Sequence, residues 1–298
     1  MITKTAMITI AGRPNVGKST LTNRLVGEKI TIVSPKPQTT RRRILAVTSR
    51  GSSQFVFADT PGYHRARTKL GDYMDEVVRR SVADVDAVVL MAEPVASVGS
   101  QEKALIDNLR ENGMPAVLVI NKADTLQDKR ELLPVIAAYS EAYDFTDIVP
   151  ISARTGEGVE ELLDVLEKFA AEGPQLFPDD YISDQPEKQI CAEIIREKLL
   201  LCLDHEIPHG TAVVITRFIQ RETDDVIELD ATIYCEKQTH KGIIIGKKGS
   251  MLKRIGELSR RDIERFMGAK VFMQTWVKVK ENWRDSDALL RNFGFTDE

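Results

Sequence analysis

Eight residues near the N-terminus, Gly12-Arg-Pro-Asn-Val-Gly-Lys-Ser19, constrain this chain more than any other stretch. They follow an apolar, β-rich run, Ala6–Ala11, and open a helical pattern over Lys18–Val26. Gly12 and Gly17 let backbone N–H groups wrap an anion at a helix N-terminus, where the dipole favours negative charge. Lys18 adds a cation for phosphate oxygens, and the Ser19 hydroxyl adds a ligand for Mg²⁺. A chain built on this loop must place a strand, the loop and a helix in succession.

The rest of the N-terminal half repeats that alternation. Apolar runs at Ile44–Thr48, Gln54–Ala58, Ala87–Met91, Ala116–Ile120 and Ile148–Ile151 predict strands. Helical patterns cover Leu70–Ser81, Gln101–Asn112, Lys129–Tyr143 and Val159–Ala171. Strands this apolar, interleaved with helices, predict an α/β fold with a mostly parallel sheet covered on both faces.

Three strand ends carry further polar motifs. After Gln54–Ala58 comes Asp59-Thr60-Pro61-Gly62. Asp59 can hold Mg²⁺ through water, and the Gly62 N–H can meet a terminal phosphate. After Ala116–Ile120 comes Asn121-Lys122-Ala123-Asp124. A carboxylate at Asp124 can accept two hydrogen bonds from guanine N1–H and the 2-amino group. Adenine lacks both donors and would leave it unpaired. After Ile148–Ile151, Ser152-Ala153-Arg154 can support the base through backbone N–H groups.

These four elements, in this order, resemble the Ras-like GTPase family over residues 1–172. The resemblance implies GTP or GDP bound with Mg²⁺. The binding residues would be Gly12, Arg13, Pro14, Asn15, Val16, Gly17, Lys18, Ser19 and Thr20 in the first loop. Asp59, Thr60, Pro61, Gly62 and Tyr63 would follow in the second, with Asn121 to Asp124 and Ser152 to Arg154 around the base. It also implies a first switch between Ile32 and Arg43, where Thr40, or alternatively Thr39, would bind Mg²⁺. Lys18, Thr40, Asp59 and Gly62 form the expected catalytic set, with Ser19, Thr40 and Asp59 on the metal. Ras places a water-orienting Gln after D-x-x-G. Here that residue is Tyr63, so hydrolysis must use backbone, a metal ion or a partner. Asn15 stands where related enzymes of this subgroup hold K⁺.

Gly173, Pro174, Pro178 and Pro186 break the pattern, and residues 173–186 read as a linker. Beyond it come a helix (Glu187–Leu203), two strands (Thr211–Arg221 and Val226–Glu236) and a short apolar segment (Gly242–Ile245). A basic helix (Ser250–Met267), a strand (Lys270–Lys280) and a short helix or tail over 285–298 complete the chain. The stretch Lys237–Arg284 holds 13 basic against 4 acidic residues, whereas Glu187–Glu236 holds 5 against 11. The chain's totals, 41 Lys+Arg and 45 Asp+Glu, hide this block. At its head stands Ile245-Gly246-Lys247-Lys248-Gly249. A G-x-x-G corner before a helix is the nucleotide clamp of KH domains. The element order resembles a type II KH fold, an α+β domain over 187–284. It implies RNA contacts from Ile245 through Gly249 and from Lys253, with Ile243–Ile245 under the bases. Of Lys253, Arg254, Arg260, Arg261 and Arg265, two or three are expected to reach RNA.

A Ras-like domain followed by a type II KH domain resembles bacterial GTPases of ribosome assembly. The further stretches Pro37–Arg41, Asp147–Ala153, Ile194–Leu199 and Trp276–Lys280 match as well. The resemblance implies binding to the 3′ end of small-subunit ribosomal RNA and to the small (30S) subunit. It also implies partial, peripheral association with the inner membrane surface; a monomer is expected. The rival function is a signalling or transport GTPase whose second domain binds protein. The two lysines of the G-x-x-G corner argue against it. Three unpaired cysteines, Cys191, Cys202 and Cys235, suit a reducing cytoplasm.

Overall fold

The computed structural model describes residues 2–62, 68–83, 85–221 and 225–295. They form two compact units. The first comprises Met1–Thr31, Pro37–Ala66 and Met74–Asp184. The second comprises Gln185–Glu298 and two short pieces of the N-terminal half, Ile32–Lys36 and Arg67–Tyr73.

The first unit opens with β1 (Lys4–Gly12), α1 (Lys18–Val26), β2 (Ile44–Arg50), β3 (Ser53–Asp59) and, after the loop, α2 (Lys69–Ala83). It continues with β4 (Ala87–Ala92), α3 (Ser100–Glu111), β5 (Ala116–Ile120), α4 (Leu132–Ala142), β6 (Asp147–Pro150), α5 (Val159–Leu166) and β7 (Ala171–Glu172). The sheet order is β2-β3-β1-β4-β5-β6. Only β2 on β3 and β7 on the start of β1 are antiparallel. Every residue of β4 and β5 is buried, because helices cover both faces. Alternate residues feed opposite cores. Val89, Met91, Val117 and Val119 pack with Leu21 of α1 and Leu162 of α5. Val88, Leu90, Leu118 and Ile120 pack with Leu105 of α3 and Tyr139 of α4.

Two helices are shorter than their sequence patterns. Residues 129–131 form a separate turn capped by Asp128, and α4 starts at Leu132. Pro134 explains this, since a proline without an N–H fits only the first turn. The last helix stops at Leu166, and Ala171 and Glu172 instead pair with Thr5 and Lys4. The stretch expected as a linker is laid on the first unit as far as Asp184. The buried Gln54 amide donates to the Phe177 carbonyl at 2.8 Å and accepts the N–H groups of Leu176 and Phe177. Prolines bar regular structure there, but the remaining backbone groups still need partners.

The second unit contains α6 (Glu187–Cys202), β8 (Thr211–Gln220), β9 (Ile227–Cys235), α7 (Gln238–Ile245), α8 (Ser250–Met267), β10 (Val271–Val279) and α9 (Asp287–Asn292). The sheet order is β10-β9-β8, with β9 parallel to β10 and antiparallel to β8. A parallel pair needs a crossover, here supplied by α7 and α8. Ile194 of α6, Leu229 and Ile233 of β9, and Ile255 and Ile263 of α8 share the core. The apolar segment Gly242–Ile245 is the last turn of α7 rather than a separate element. Of the residues after Arg284, those described include the short helix α9; Leu290 is buried, and so is Phe295, which lies beside Trp283.

Candidate functional site

The phosphate loop joins β1 to α1. Gly17 precedes the helix with φ 109°, and a Cβ there would lie 2.2 Å from the Asn121 amide nitrogen. Only glycine fits. That amide donates to the Val16 carbonyl at 2.7 Å, while Asn121 Oδ1 accepts the Ala153 N–H at 2.9 Å. Asn121 therefore ties the phosphate loop to the residues expected around the base. The sequence had shown it only as the first letter of a motif.

Lys18 is buried and donates to the carbonyls of Gly12 at 2.9 Å and Arg13 at 3.1 Å. Burial pulls its pKa down to about 8 against the attraction of Asp59. Asp59, at the end of β3, is fully buried, and neither carboxylate oxygen has a hydrogen bond among the described residues. Burial pushes its pKa up to about 6, opposed by the Lys18 charge. The Ser19 and Thr40 hydroxyls stand 2.8 Å apart. Two hydroxyls and an orphaned buried carboxylate form an all-oxygen donor set, which fits Mg²⁺. Thr60 is held by its hydroxyl on the Ile10 carbonyl at 2.9 Å, and Gly62 closes on Pro14. Tyr63 lies outside the described residues.

Around the base position, Arg154 pairs with Asp124. The Ser152 hydroxyl first, and then Arg154, hold the Asp124 carboxyl below the usual range. Lys122 takes a left-handed backbone, φ 65°, and its ammonium pairs with Glu93. Arg13 reaches the same carboxylate and also Glu102, at 2.9 Å. Asn15 has φ 64°, a conformation that asparagine tolerates better than most residues. All these residues belong to the first unit.

In the second unit, Gly246 through Gly249 turn the chain from α7 into α8. Gly246 has φ 73°, and a Cβ would meet Met251 at 2.7 Å. Lys247, Lys248 and Lys253 are exposed. A groove of about 410 Å³ runs beside this corner, lined by Leu252, Lys253, Gly256, Glu257, Arg260, Met273 and Thr275 with Gly249. Ile243–Ile245 do not form its floor. Ile244 turns into the core, Ile245 packs half-buried against it, and Ile243 is exposed. The floor comes from Leu252, Gly256 and Met273 instead. Of the five basic residues of α8 named from sequence, Lys253 and Arg260 line the groove, while Arg261 and Arg265 lie near Asp262. Met273 and Thr275 arrive from β10, and nothing local in the sequence marks them.

A P-loop site that can select guanine, next in sequence to a KH-type corner, defines a GTPase with an appended nucleic-acid-binding domain. Comparison with known proteins agrees. Residues 7–122 match the family described as 50S ribosome-binding GTPase, and residues 206–284 match the KH domain family. GTPase Era of Caldanaerobacter subterraneus subsp. tengcongensis is 46% identical over 99% of both chains. GTPase Era of Clostridioides difficile is 45% identical over the same shares. The solved structure of Era with MgGDPNP and nucleotides 1506–1542 of 16S ribosomal RNA matches with TM-score 0.95 and 35% identity, covering 99% of this chain and 100% of that one. An Aquifex aeolicus Era variant bound to GDP.AlF4- matches with TM-score 0.94, at the same identity and coverage. The chain belongs to the Era family of GTPases.

Proposed function

We propose that this protein binds GTP in the first unit, hydrolyses it, and binds the 3′ end of small-subunit ribosomal RNA in the groove of the second unit during assembly of the small subunit. The single observation that supports it most is the co-occurrence of the two sites in one chain. One is the Lys18, Ser19, Thr40 and Asp59 cluster, the other the G-x-x-G groove. The Era complex with Mg²⁺, a GTP analogue and that RNA is the likeness behind the ligand assignment.

Lys18 exchanges its two carbonyl partners for phosphate oxygens. The change is favourable because a buried ammonium gains anionic partners. Ser19 and Thr40 would hold Mg²⁺ directly and Asp59 would hold it through water, and the ion would supply positive charge against the phosphates. The Gly62 N–H faces the terminal phosphate. Water attacks the γ-phosphorus, the bond to the β–γ bridging oxygen breaks, and inorganic phosphate and GDP result. With Tyr63 in place of Gln, the water would be oriented by backbone, by a partner, or by a K⁺ ion that Asn15 would help to hold. Phosphate loss removes the reason for Thr40 to stay in place, and the RNA is released.

Among the described residues, no helix is long and apolar enough to cross a membrane. The proposed location is the cytoplasm, on 30S particles, as a monomer. Any membrane contact would be peripheral.

Crosslinking of the GTP-bound protein in growing cells, with mapping of the crosslinked bases, tests the reading. Crosslinks concentrated at the 3′ end of small-subunit RNA are expected. A distribution that follows RNA abundance alone would refute it.

A further inference from the structure

The stretch Trp276-Val-Lys-Val-Lys280 takes no part in the sites described above. Trp276 through Val279 fall in β10, one of the two edge strands of the second unit's sheet. Side chains alternate across a strand, so β10 has two chemistries. Met273 and Thr275 line the groove beside α8. Phe272, Gln274, Trp276 and Lys278 stand on the opposite face, and all four are exposed. Phe272 is 48% and Trp276 44% accessible, large values for aromatic rings.

The register continues that face across the sheet. Phe272 lies beside Glu228, which is opposite Ile219, itself 51% exposed. Gln274 lies beside Asp230, opposite Arg217; Trp276 lies beside Thr232. Arg221 sits over the Phe272 ring, 5.7 Å from its centroid. Both Arg217 and Arg221 pair with the single carboxylate of Glu228. The Phe293 ring covers the far end of the face, 4.8 Å from the Tyr234 ring.

We infer that this outer face is a second RNA surface, on which unpaired bases continuing from the groove stack on Trp276 and Phe272 while Lys278 and Arg221 meet the phosphates. The inference rests on the reading of the groove as an RNA site. Its occupant follows from continuity. Met273 and Thr275 in the groove are chain neighbours of Phe272 and Trp276, on opposite faces of one edge strand. A single strand crossing that edge meets both. Aromatic planes set between cations suit bases on a phosphate chain. A protein-docking patch would keep its charges to the rim. Here two charged residues, Arg217 and Asp230, lie in the row between those of the two rings.

The test uses the full chain and two RNA oligonucleotides copied from its own small-subunit 3′ end, about six and about twelve nucleotides long. A KH clamp holds about four nucleotides, so the short probe fills the groove alone. Trp283, the other tryptophan, is fully buried with its N–H on the Gly210 carbonyl, so emission changes report on Trp276. The twelve-mer is expected to quench that emission. Trp276→Ala is expected to weaken the twelve-mer about tenfold and the six-mer less than twofold. Trp276→Phe should restore most of the affinity while losing the quenching. Lys278→Glu, at an exposed position that disturbs no packing, should weaken the twelve-mer alone. Undiminished twelve-mer binding in a Trp276→Ala, Phe272→Ala variant with wild-type melting would overturn the inference. Equal loss for both probes would overturn it too, since the effect would then act through the groove. Gly249→Asp separates the two readings. If it leaves both probes bound, the groove assignment fails. If it abolishes binding while the face variants change nothing, the groove stands and the outer face does not.

Discussion

Asp124 is the one carboxylate proposed to select guanine. Its pKa is held low by the Ser152 hydroxyl and Arg154, so it stays charged as pH falls below the ordinary carboxylate range. A charged Asp124 is the form that would accept from guanine. Guanine selectivity is therefore expected to stay flat from about pH 8 to about pH 5, because the depressed pKa lies below the ordinary value near 4. Equilibrium titration with GTP and ATP at several pH values measures this, and a decline already near pH 6 would contradict it. Asp124→Asn should weaken GTP by about a hundredfold or more and improve xanthosine triphosphate, whose ring offers the complementary donors and acceptors. Lys18 makes a different point. Its carbonyl partners in the loop are replaceable by phosphate, so Lys18→Ala should lose nucleotide affinity while the melting temperature stays within a few degrees.

The elements were legible where chemistry and local pattern coincide. The strand before the phosphate loop, the loop and α1 follow from neighbouring residues, and so does the full extent of α8, with its strong apolar stripe. The groove's far wall was not legible. Met273 and Thr275 reach it only because β10 pairs in parallel with β9 after a two-helix crossover, a non-local event. The same holds for Ile244, whose apolar run looked like groove lining and turned out to be core. Asn121 was visible as a motif letter, but its grip on Val16 and Ala153 depends on three strand ends meeting. That grip can be tested through Gly17. In Gly17→Ala the new methyl would collide with the Asn121 amide in a backbone conformation that alanine resists. Asn121 must move and release both partners. The expected result is loss of GTP binding together with a stability loss of about 2–4 kcal/mol, from positive-φ strain and two broken buried hydrogen bonds. Denaturant unfolding of the nucleotide-free protein measures the second part. Wild-type stability would mean that the loop accommodates the methyl and that Asn121 is not a staple.

At the scale of the whole chain, the two units share more than one covalent junction. Ile32–Lys36 belongs to the second unit, whereas Ser19 and Thr40 belong to the first. Within the second unit the Val33 N–H donates to Glu197 of α6 at 3.0 Å, and the Lys36 ammonium donates to the Leu203 carbonyl. The backbone between Lys36 and Thr40 is only three residues long. On the reading proposed above, a change in the hold on Thr40 when the γ-phosphate leaves would reach a segment anchored to the unit that carries the proposed RNA groove. If that segment biases RNA affinity, linkage makes the effect reciprocal. RNA must then shift the preference for GTP over GDP by the same factor that GTP shifts the affinity for RNA. A factor of about 5–150 corresponds to the usual coupling of about 1–3 kcal/mol. The experiment is a pair of titrations of the twelve-nucleotide RNA, one with GDP and one with a non-hydrolysable GTP analogue, followed by nucleotide titrations with and without saturating RNA. Matching factors from the two routes are expected. Equal RNA affinities in both nucleotide states would mean that the chain crossings tether the units without coupling them, and the release step proposed for hydrolysis would have to be abandoned.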